Sequence, residues 1–250
     1  MLLTIDVGNT STKMGLFEGA FLSLKKEIRT VCEEEILKRE IASLRVKRGA
    51  PSIISSVVPQ IDSLFSEILI GLIERGPVFV EPTAQSLIPL AVDSPEEVGS
   101  DRIANAIAAK EIYGTPAIVV DFGTATTFDC LSKKGEYLGG LIAPGVTTSL
   151  LNLSCKAAKL PRIELKKPET VIGKSTVKAM QAGIYFSTLY GIQGILRRLK
   201  EELGEETIVV ATGGLAEFIG RDCQLIKAIN PALTLEGLRI IGEAQCLSSA

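Results

Sequence analysis

Apolar and polar positions along this chain form a pattern that restarts near its middle. LLTID (2–6) is a short apolar run of strand character, VGNT is a turn, and STKMGLFE alternates as the second strand of a hairpin. AFLSLKKEI predicts a third strand. A helix is expected through CEEEILKREIASL (32–44), where Ile36, Leu37, Ile41 and Leu44 recur at helical spacing. SIISSVV (52–58) reads as a buried strand, and Pro59 opens a helix that Gly76 stops. PVFVEP (77–82) is a further strand. A polar loop, VDSPEEVGSDR (92–102), leads into a helix from Arg102 to Tyr113, with Gly114 as its stop.

The series then begins again. AIVVD, TTFDCLS and GEYLGGLIAP predict three strands, and VTTSLLNLSCKAAKL (146–160) a helix. A long helix follows from Thr176 to Leu203, capped by Gly204. TIVVATGGLAEFIG is strand, double-glycine turn and helix, and the chain closes in a helical segment around 235–248. Two α/β lobes are expected, 1–114 and 115–250, with a cleft between them.

The restart carries chemistry. TIDVGNTSTK (4–13) and VVDFGTATTF (119–128) superpose at an offset of 121 − 6 = 115 residues, so that Asp6 meets Asp121, Gly8 meets Gly123, Asn9 meets Thr124 and Thr12 meets Thr127. A glycine just past a strand lets backbone N–H groups gather around phosphate oxygens. The short hydroxyls and amide nearby (Asn9, Thr10, Thr12, Thr124, Thr126, Thr127) add donors without bulk, and Lys13 adds a charge to the first turn. An aspartate beside a polyphosphate is repelled unless a cation intervenes, and Mg²⁺ takes one or two carboxylates together with phosphate oxygens. Each Asp taken singly also reads as an ordinary turn residue. The pair in register points to two turns gripping one metal-bound nucleotide tail. TGG at 212–214, opening a helix, is a floor on which a nucleoside can lie.

Composition narrows the remaining choices. The chain has 250 residues, 46% of them hydrophobic and 22% charged, with a net charge of −2 and no basic run, so nucleic acid and anionic membranes are not expected partners. No apolar stretch approaches a membrane span, and an acid as early as Asp6 argues against a signal peptide. Five scattered cysteines (Cys32, Cys130, Cys155, Cys223, Cys246) fit reduced thiols in the cytoplasm. Histidine is absent. That removes Ser–His–Asp hydrolases and His-ligated metal enzymes, leaving carboxylates, Lys, Tyr or Cys for proton transfer.

In PEEVGSDR, Asp101 is placed to orient an acceptor hydroxyl and take its proton, and Arg102 offers a planar fork to a carboxylate or phosphate. Ser100 or Asp101 as a helix N-cap is the competing reading. The long helix carries Gly183, Gly191 and Gly194. Each costs about 1 kcal/mol relative to Ala, which close packing of another backbone would offset.

These segments together resemble the acetate and sugar kinase/Hsp70/actin superfamily, and within it the type III pantothenate kinases. IDVGNTSTK is similar to that family's first phosphate segment, EVGSDRIANAIAA to its substrate loop and helix, and VVDFGTATTFD to its second phosphate segment. GGLIAPG and ATGG match later signatures. The resemblance implies the actin-like ATPase (ribonuclease H-like) fold. It also implies transfer of the γ-phosphate of ATP to the primary hydroxyl of pantothenate, the first step of coenzyme A biosynthesis. By resemblance, Asp6, Val7, Gly8, Asn9, Thr10, Ser11, Thr12 and Lys13 contact ATP, with Thr124 adding a second contact. Gly99, Ser100, Asp101 and Arg102 form the pantothenate segment, with Asp101 as proton acceptor. Asp121 matches the position of a monovalent cation, K⁺ or NH₄⁺, in place of the shared Mg²⁺ read from the spacing, and Mg²⁺ accompanies ATP. Thr176 matches a substrate contact reached across a homodimer interface. The pattern departs at Val92, where members often carry Tyr, at Phe186–Ser187, where a glycine is expected, and at GSDR, usually GADR. Another small-molecule kinase of the superfamily, or a non-catalytic accessory factor for gene expression, are the alternative readings.

Overall fold

A computed structural model describes residues 1–81 and 87–246. The chain divides into two units, one made of Met1–Glu111 with the segment from Ala232 onward, the other of Ile112–Pro231.

In the first unit, β1 (Leu2–Val7), β2 (Ser11–Glu18) and β3 (Phe21–Arg29) form an antiparallel meander. β4 (Ser52–Ser56) and β5 (Val78–Phe79) extend it on the other side of β1 as parallel strands, giving the order β3-β2-β1-β4-β5. Strand alternation sends Leu3, Ile5 and Val7 to one face. There they share a core with Leu37 and Ile41 of α1 (Glu34–Ala42) and with Phe65, Ile68 and Leu69 of α2 (Asp62–Ile73). Leu2, Thr4 and Asp6 point to the opposite face, which carries α6 (Leu233–Cys246). Leu2 and Ile53 border Gly242, and Thr4 and Leu235 border Gly15. Helix α3 (Ser100–Tyr113) packs on α6.

The second unit repeats the plan. β6 (Ala117–Phe122), β7 (Ala125–Leu131) and β8 (Tyr137–Pro144) form the meander, and β9 (Ile208–Thr212) and β10 (Ala228–Ile229) run parallel to β6, in the order β10-β9-β6-β7-β8. Ile118, Val120 and Phe122 share a core with Tyr185, Leu189, Ile192 and Leu196 of α5 (Thr176–Leu203), leaving Asp121 on the other face. Helix α4 (Val146–Lys156) follows β8 directly. Ser175 caps α5, accepting from the Lys178 N–H at 3.3 Å. Among the described residues no helix is long and apolar enough to cross a membrane.

Several elements differ from the sequence reading. The last helix, carried there with the second lobe, packs on β1, β2 and β4 of the first unit. Its expected end at 247–248 lies outside the described residues, as does position 82 of the expected strand 77–82. Pro59 opens a single 3₁₀ turn before α2, and α2 ends at Ile73, stopped by Glu74 in the left-handed conformation (φ 60°) rather than by Gly76. The segment after the double glycine is one π-helical turn, Ala216–Gly220. Gly183, Gly191 and Gly194 face outward, and a Cβ at any of them would meet open space, so among the described residues no backbone packs on them.

The contact of α6 with α3 is close enough to predict a mutation. A Cβ at Gly237 would stand 1.9 Å from the Ala104 carbonyl oxygen. One turn away, Thr234 donates a buried hydrogen bond to Asn105 Oδ1 at 2.8 Å. Gly237→Ala gains about 1 kcal/mol of helix propensity. Forcing the two helices apart costs about 1–3 kcal/mol or more. The variant is expected to melt several degrees lower in a thermal scan, and an unchanged or raised Tm would show that the helices separate freely.

Candidate active site

The first turn is built on the pairing of β1 with β2. Asp6 stands opposite Lys13 and Val7 opposite Thr12. Asp6 is 8% exposed, and the Lys13 ammonium lies 4.0 Å from its Oδ2. The Gly8 N–H donates to the Ser11 carbonyl at 3.0 Å, and a Cβ at Gly8 would meet that same oxygen at 3.0 Å. Asn9 and Thr10 form the exposed tip, whereas Thr12 is fully buried. Lys25, diagonal to Lys13 across β2 and β3, is also cationic. Desolvation, then the Lys13 charge, lower its pKa, against an opposing pull from Glu27.

Asp101 belongs to the same end of the same sheet. β1 and β4 run parallel with Asp6 level with Ser55 and Val7 level with Ser56. The Ser55 hydroxyl lies 2.9 Å from that of Ser100, and Ser100 Oγ reaches the Ser56 carbonyl at 3.5 Å. These contacts hold the N-terminus of α3 against the carboxyl end of β4. Ligands bind at carboxyl ends of parallel strands in α/β sheets, and a helix N-terminus there favours anions. Ser100 therefore turns its hydroxyl inward, against β4. Asp101 and Arg102 are half-buried. Asp101 Oδ1 accepts from the Arg102 N–H at 2.8 Å, and a Cβ at Gly99 would sit 2.5 Å from that oxygen. Gly99 thus leaves room for the carboxylate to fold back over the chain. Val92 lies in the irregular segment before this helix.

The second turn repeats the first with one residue fewer. Asp121 stands opposite Thr127, six positions on, where Asp6 stands opposite Lys13, seven positions on. Backbone pairing therefore matches Thr12 with Thr126, both buried, and Lys13 with Thr127. The expected overlay of Thr12 on Thr127 is one residue out on the return strand. The Gly123 N–H donates to the Ala125 carbonyl at 3.0 Å, closing the shorter turn. From below, the Gly145 N–H and the Thr148 hydroxyl, at 3.2 and 2.7 Å, both donate to the Thr124 carbonyl.

Around Asp121 the structure gathers residues of the TGG segment, read from the sequence only as a nucleoside floor. Thr212 on β9 is level with Asp121, is fully buried, and its hydroxyl has no hydrogen-bond partner among the described residues. Gly213 follows with φ 91°, and a Cβ there would lie 2.4 Å from Asp121 Oδ1. A carboxylate flanked by a buried, unsatisfied hydroxyl is a set of hard oxygen donors suited to an alkali or alkaline-earth cation. One layer below, buried Asp129 accepts from the Tyr137 hydroxyl at 2.8 Å. Thr176, the expected cross-subunit contact, is exposed at the start of α5. It edges a cleft of about 430 Å³ with Leu153, Leu160 and Met180.

Comparison with known proteins follows the same lines. Residues 2–198 match the family model described as type III pantothenate kinase. The type III pantothenate kinase of Moorella thermoacetica is 45% identical over 251 residues, covering 97% of this chain and 99% of that protein. That of Koribacter versatilis is 44% identical over 263 residues, covering 97% and 95%. Among solved structures, a conserved putative Baf family transcriptional activator from Campylobacter jejuni superposes with a TM-score of 0.65 at 16% identity, covering 98% of this chain and 99% of that one. A putative 2-dehydro-3-deoxygalactonokinase from Sinorhizobium meliloti gives 0.63 at 13%, covering 98% and 97%. At such identities the structures speak for the fold alone, the actin-like ATPase fold expected from the sequence.

Proposed function

Since the chain belongs to the type III pantothenate kinase family, we propose that its two Asp-containing turns hold the phosphates of ATP while Asp101 receives the proton of the alcohol. The protein is a kinase that phosphorylates pantothenate at its primary hydroxyl in coenzyme A biosynthesis. Within that reaction, Asp6 to Ser11, Lys13 and Thr124 contact the nucleotide, while Thr12, expected there too but fully buried, braces the turn from within. Gly99, Ser100, Asp101 and Arg102 contact pantothenate. Arg102 pairs with its carboxylate, for which a guanidinium fork is suited. The observation that carries this reading is the hydroxyl pair between Ser55 and Ser100, which sets Asp101 at the strand end that Asp6 occupies. An un-ionised alcohol is a weak nucleophile, so rate derives mainly from alignment and charge neutralisation, with Asp101 steering the hydroxyl.

Asp6 would face the Mg²⁺ that accompanies ATP. Asp121, with Thr212 beside it, would hold the monovalent cation. A K⁺ or NH₄⁺ bound there would offset the repulsion between the carboxylate and the phosphates. The protein acts as a cytoplasmic homodimer in which Thr176 contributes to the partner's substrate site. Support for that comes from the outward glycines of α5 and the exposed apolar side chains near them, Tyr190 and Leu141 among others.

An assay of ADP release with pantothenate, with and without K⁺, tests the scheme. Turnover is expected to depend on pantothenate and to fall several-fold when Na⁺ replaces K⁺. Asp121→Asn, which keeps the size and removes the charge, is expected to erase the difference between the two salts and to weaken ATP binding in calorimetry. A variant that still discriminates K⁺ from Na⁺ would place the cation elsewhere.

A further inference from the structure

The residue that shapes the first phosphate turn lies outside its motif. We propose that Thr30, the residue after β3, is the positioning residue that presents the Asn9 and Ser11 N–H groups to the nucleotide. This rests on the assignment of ATP to that turn.

Three hydrogen bonds converge on Thr30. Its N–H donates to the Thr10 carbonyl at 3.0 Å, and its hydroxyl donates to the Gly8 carbonyl at 2.6 Å. The Thr12 hydroxyl lies 3.1 Å from the Thr30 hydroxyl. A hydroxyl has one proton. With that proton given to Gly8, Thr30 accepts from Thr12, so the buried Thr12 spends its own proton inside the turn rather than on a phosphate. Because each peptide is planar and trans, pulling the Gly8 and Thr10 carbonyls toward Thr30 aims the next N–H groups, those of Asn9 and Ser11, away from it. Those are the donors a phosphate nest needs.

The second unit supports the same design. β3 and β8 occupy the same place in their sheets, and Ser11 pairs with Arg29 as Ala125 pairs with Pro144. The residue after each, Thr30 and Gly145, donates its N–H to the carbonyl just before the return strand, at Thr10 and Thr124. In the second turn a separate residue, Thr148, supplies the hydroxyl. A backbone latch from the third strand thus recurs in both units although the residue types differ.

Thr30→Val keeps the shape and the N–H bond but removes the hydroxyl. Losing about two neutral hydrogen bonds that aim the donors is expected to weaken ATP binding about tenfold, by calorimetry and by the KM for ATP. The KM for pantothenate should stay unchanged, and Thr30→Ser should restore ATP affinity. Thr12→Val attacks the latch from its other side, so it should reproduce the defect, and the double variant should be no worse than either alone. Lys13→Met separates the two levels of the proposal. If Lys13→Met weakens ATP while Thr30→Val and Thr12→Val do not, the latch role fails and the ATP turn stands. If none of the three alters ATP affinity, the turn itself is misassigned. Equal losses for ATP and pantothenate would reduce Thr30 to a general stabilising residue and overturn the inference.

Discussion

Asp101→Asn is expected to lower kcat by a factor of about 10²–10⁴, the range general acid–base groups contribute, while ATP affinity stays within about twofold. The substitution is a clean probe because of how the carboxylate is held. Oδ1 accepts the Arg102 N–H over Gly99, and an amide oxygen can accept the same bond in the same space. The Ser55–Ser100 contact that fixes the helix start is untouched. What disappears is the negative charge and the capacity to take the proton of the attacking hydroxyl. A charge lost from the first turn of a helix costs about 0.3–1 kcal/mol of stability, so Tm should move by only a few degrees. Calorimetry with ATP, thermal melting and single-turnover phosphorylation of pantothenate separate these quantities. Full turnover in the variant would remove Asp101 from the proton path. Loss of ATP binding would mean that the helix start supports the nucleotide as well as the alcohol.

Much of this was legible in the chain because strands announce themselves by alternation and the strand–turn–strand unit occurs twice. LLTID read as a strand and STKMGLFE as its hairpin partner, and they pair so, although Val7, read as part of the turn, is the last residue of β1. Turn length was not legible. The two turns differ by one residue, and only the cross-strand partners, Lys13 for Asp6 and Thr127 for Asp121, reveal it. The destination of α6 was hidden for a different reason. Amphipathic spacing tells that a helix buries a face, but it does not tell which sheet receives it. Thr30 and Ser55 escaped notice because a hydroxyl in a strand or just past its end looks the same whether it braces a turn or clamps a helix. Thr212, read as part of a nucleoside floor, gave no sign that it stands level with Asp121. The one available signal was positional, since Thr30 directly follows the strand that runs beside the first turn. Asp101 showed the reverse case. The sequence allowed both a cap and a base, and the carboxylate does bond a backbone N–H of its own helix, a role compatible with receiving a proton at its other oxygen.

The proposed role of the Asp121 turn in holding phosphate offers a test that involves no change of charge. Gly145 has φ −66°, a conformation any residue adopts, so glycine is not there for backbone freedom. It is there for space. A Cβ would stand 2.3 Å from the Thr124 carbonyl oxygen and 2.5 Å from that of Gly123, well inside contact distance. Both atoms are backbone and cannot rotate aside, so Gly145→Ala must push the Gly123–Thr124 turn outward or break the hydrogen bond that joins Gly145 to Thr124. If the turn aligns the reacting phosphate as proposed, a shift on the order of 1 Å costs about 10²-fold in rate. The expected result is therefore a fall of about two orders of magnitude in kcat/KM for ATP. Stability should fall by less, on the order of 1–3 kcal/mol for overpacking, because β7 and the core beneath Phe122 and Phe128 are not displaced. Steady-state kinetics at varied ATP, run beside a melting curve, read the two effects apart. A variant that melts lower yet keeps its ATP kinetics would show that this turn tolerates displacement, and Thr124 would then have no part in holding the nucleotide.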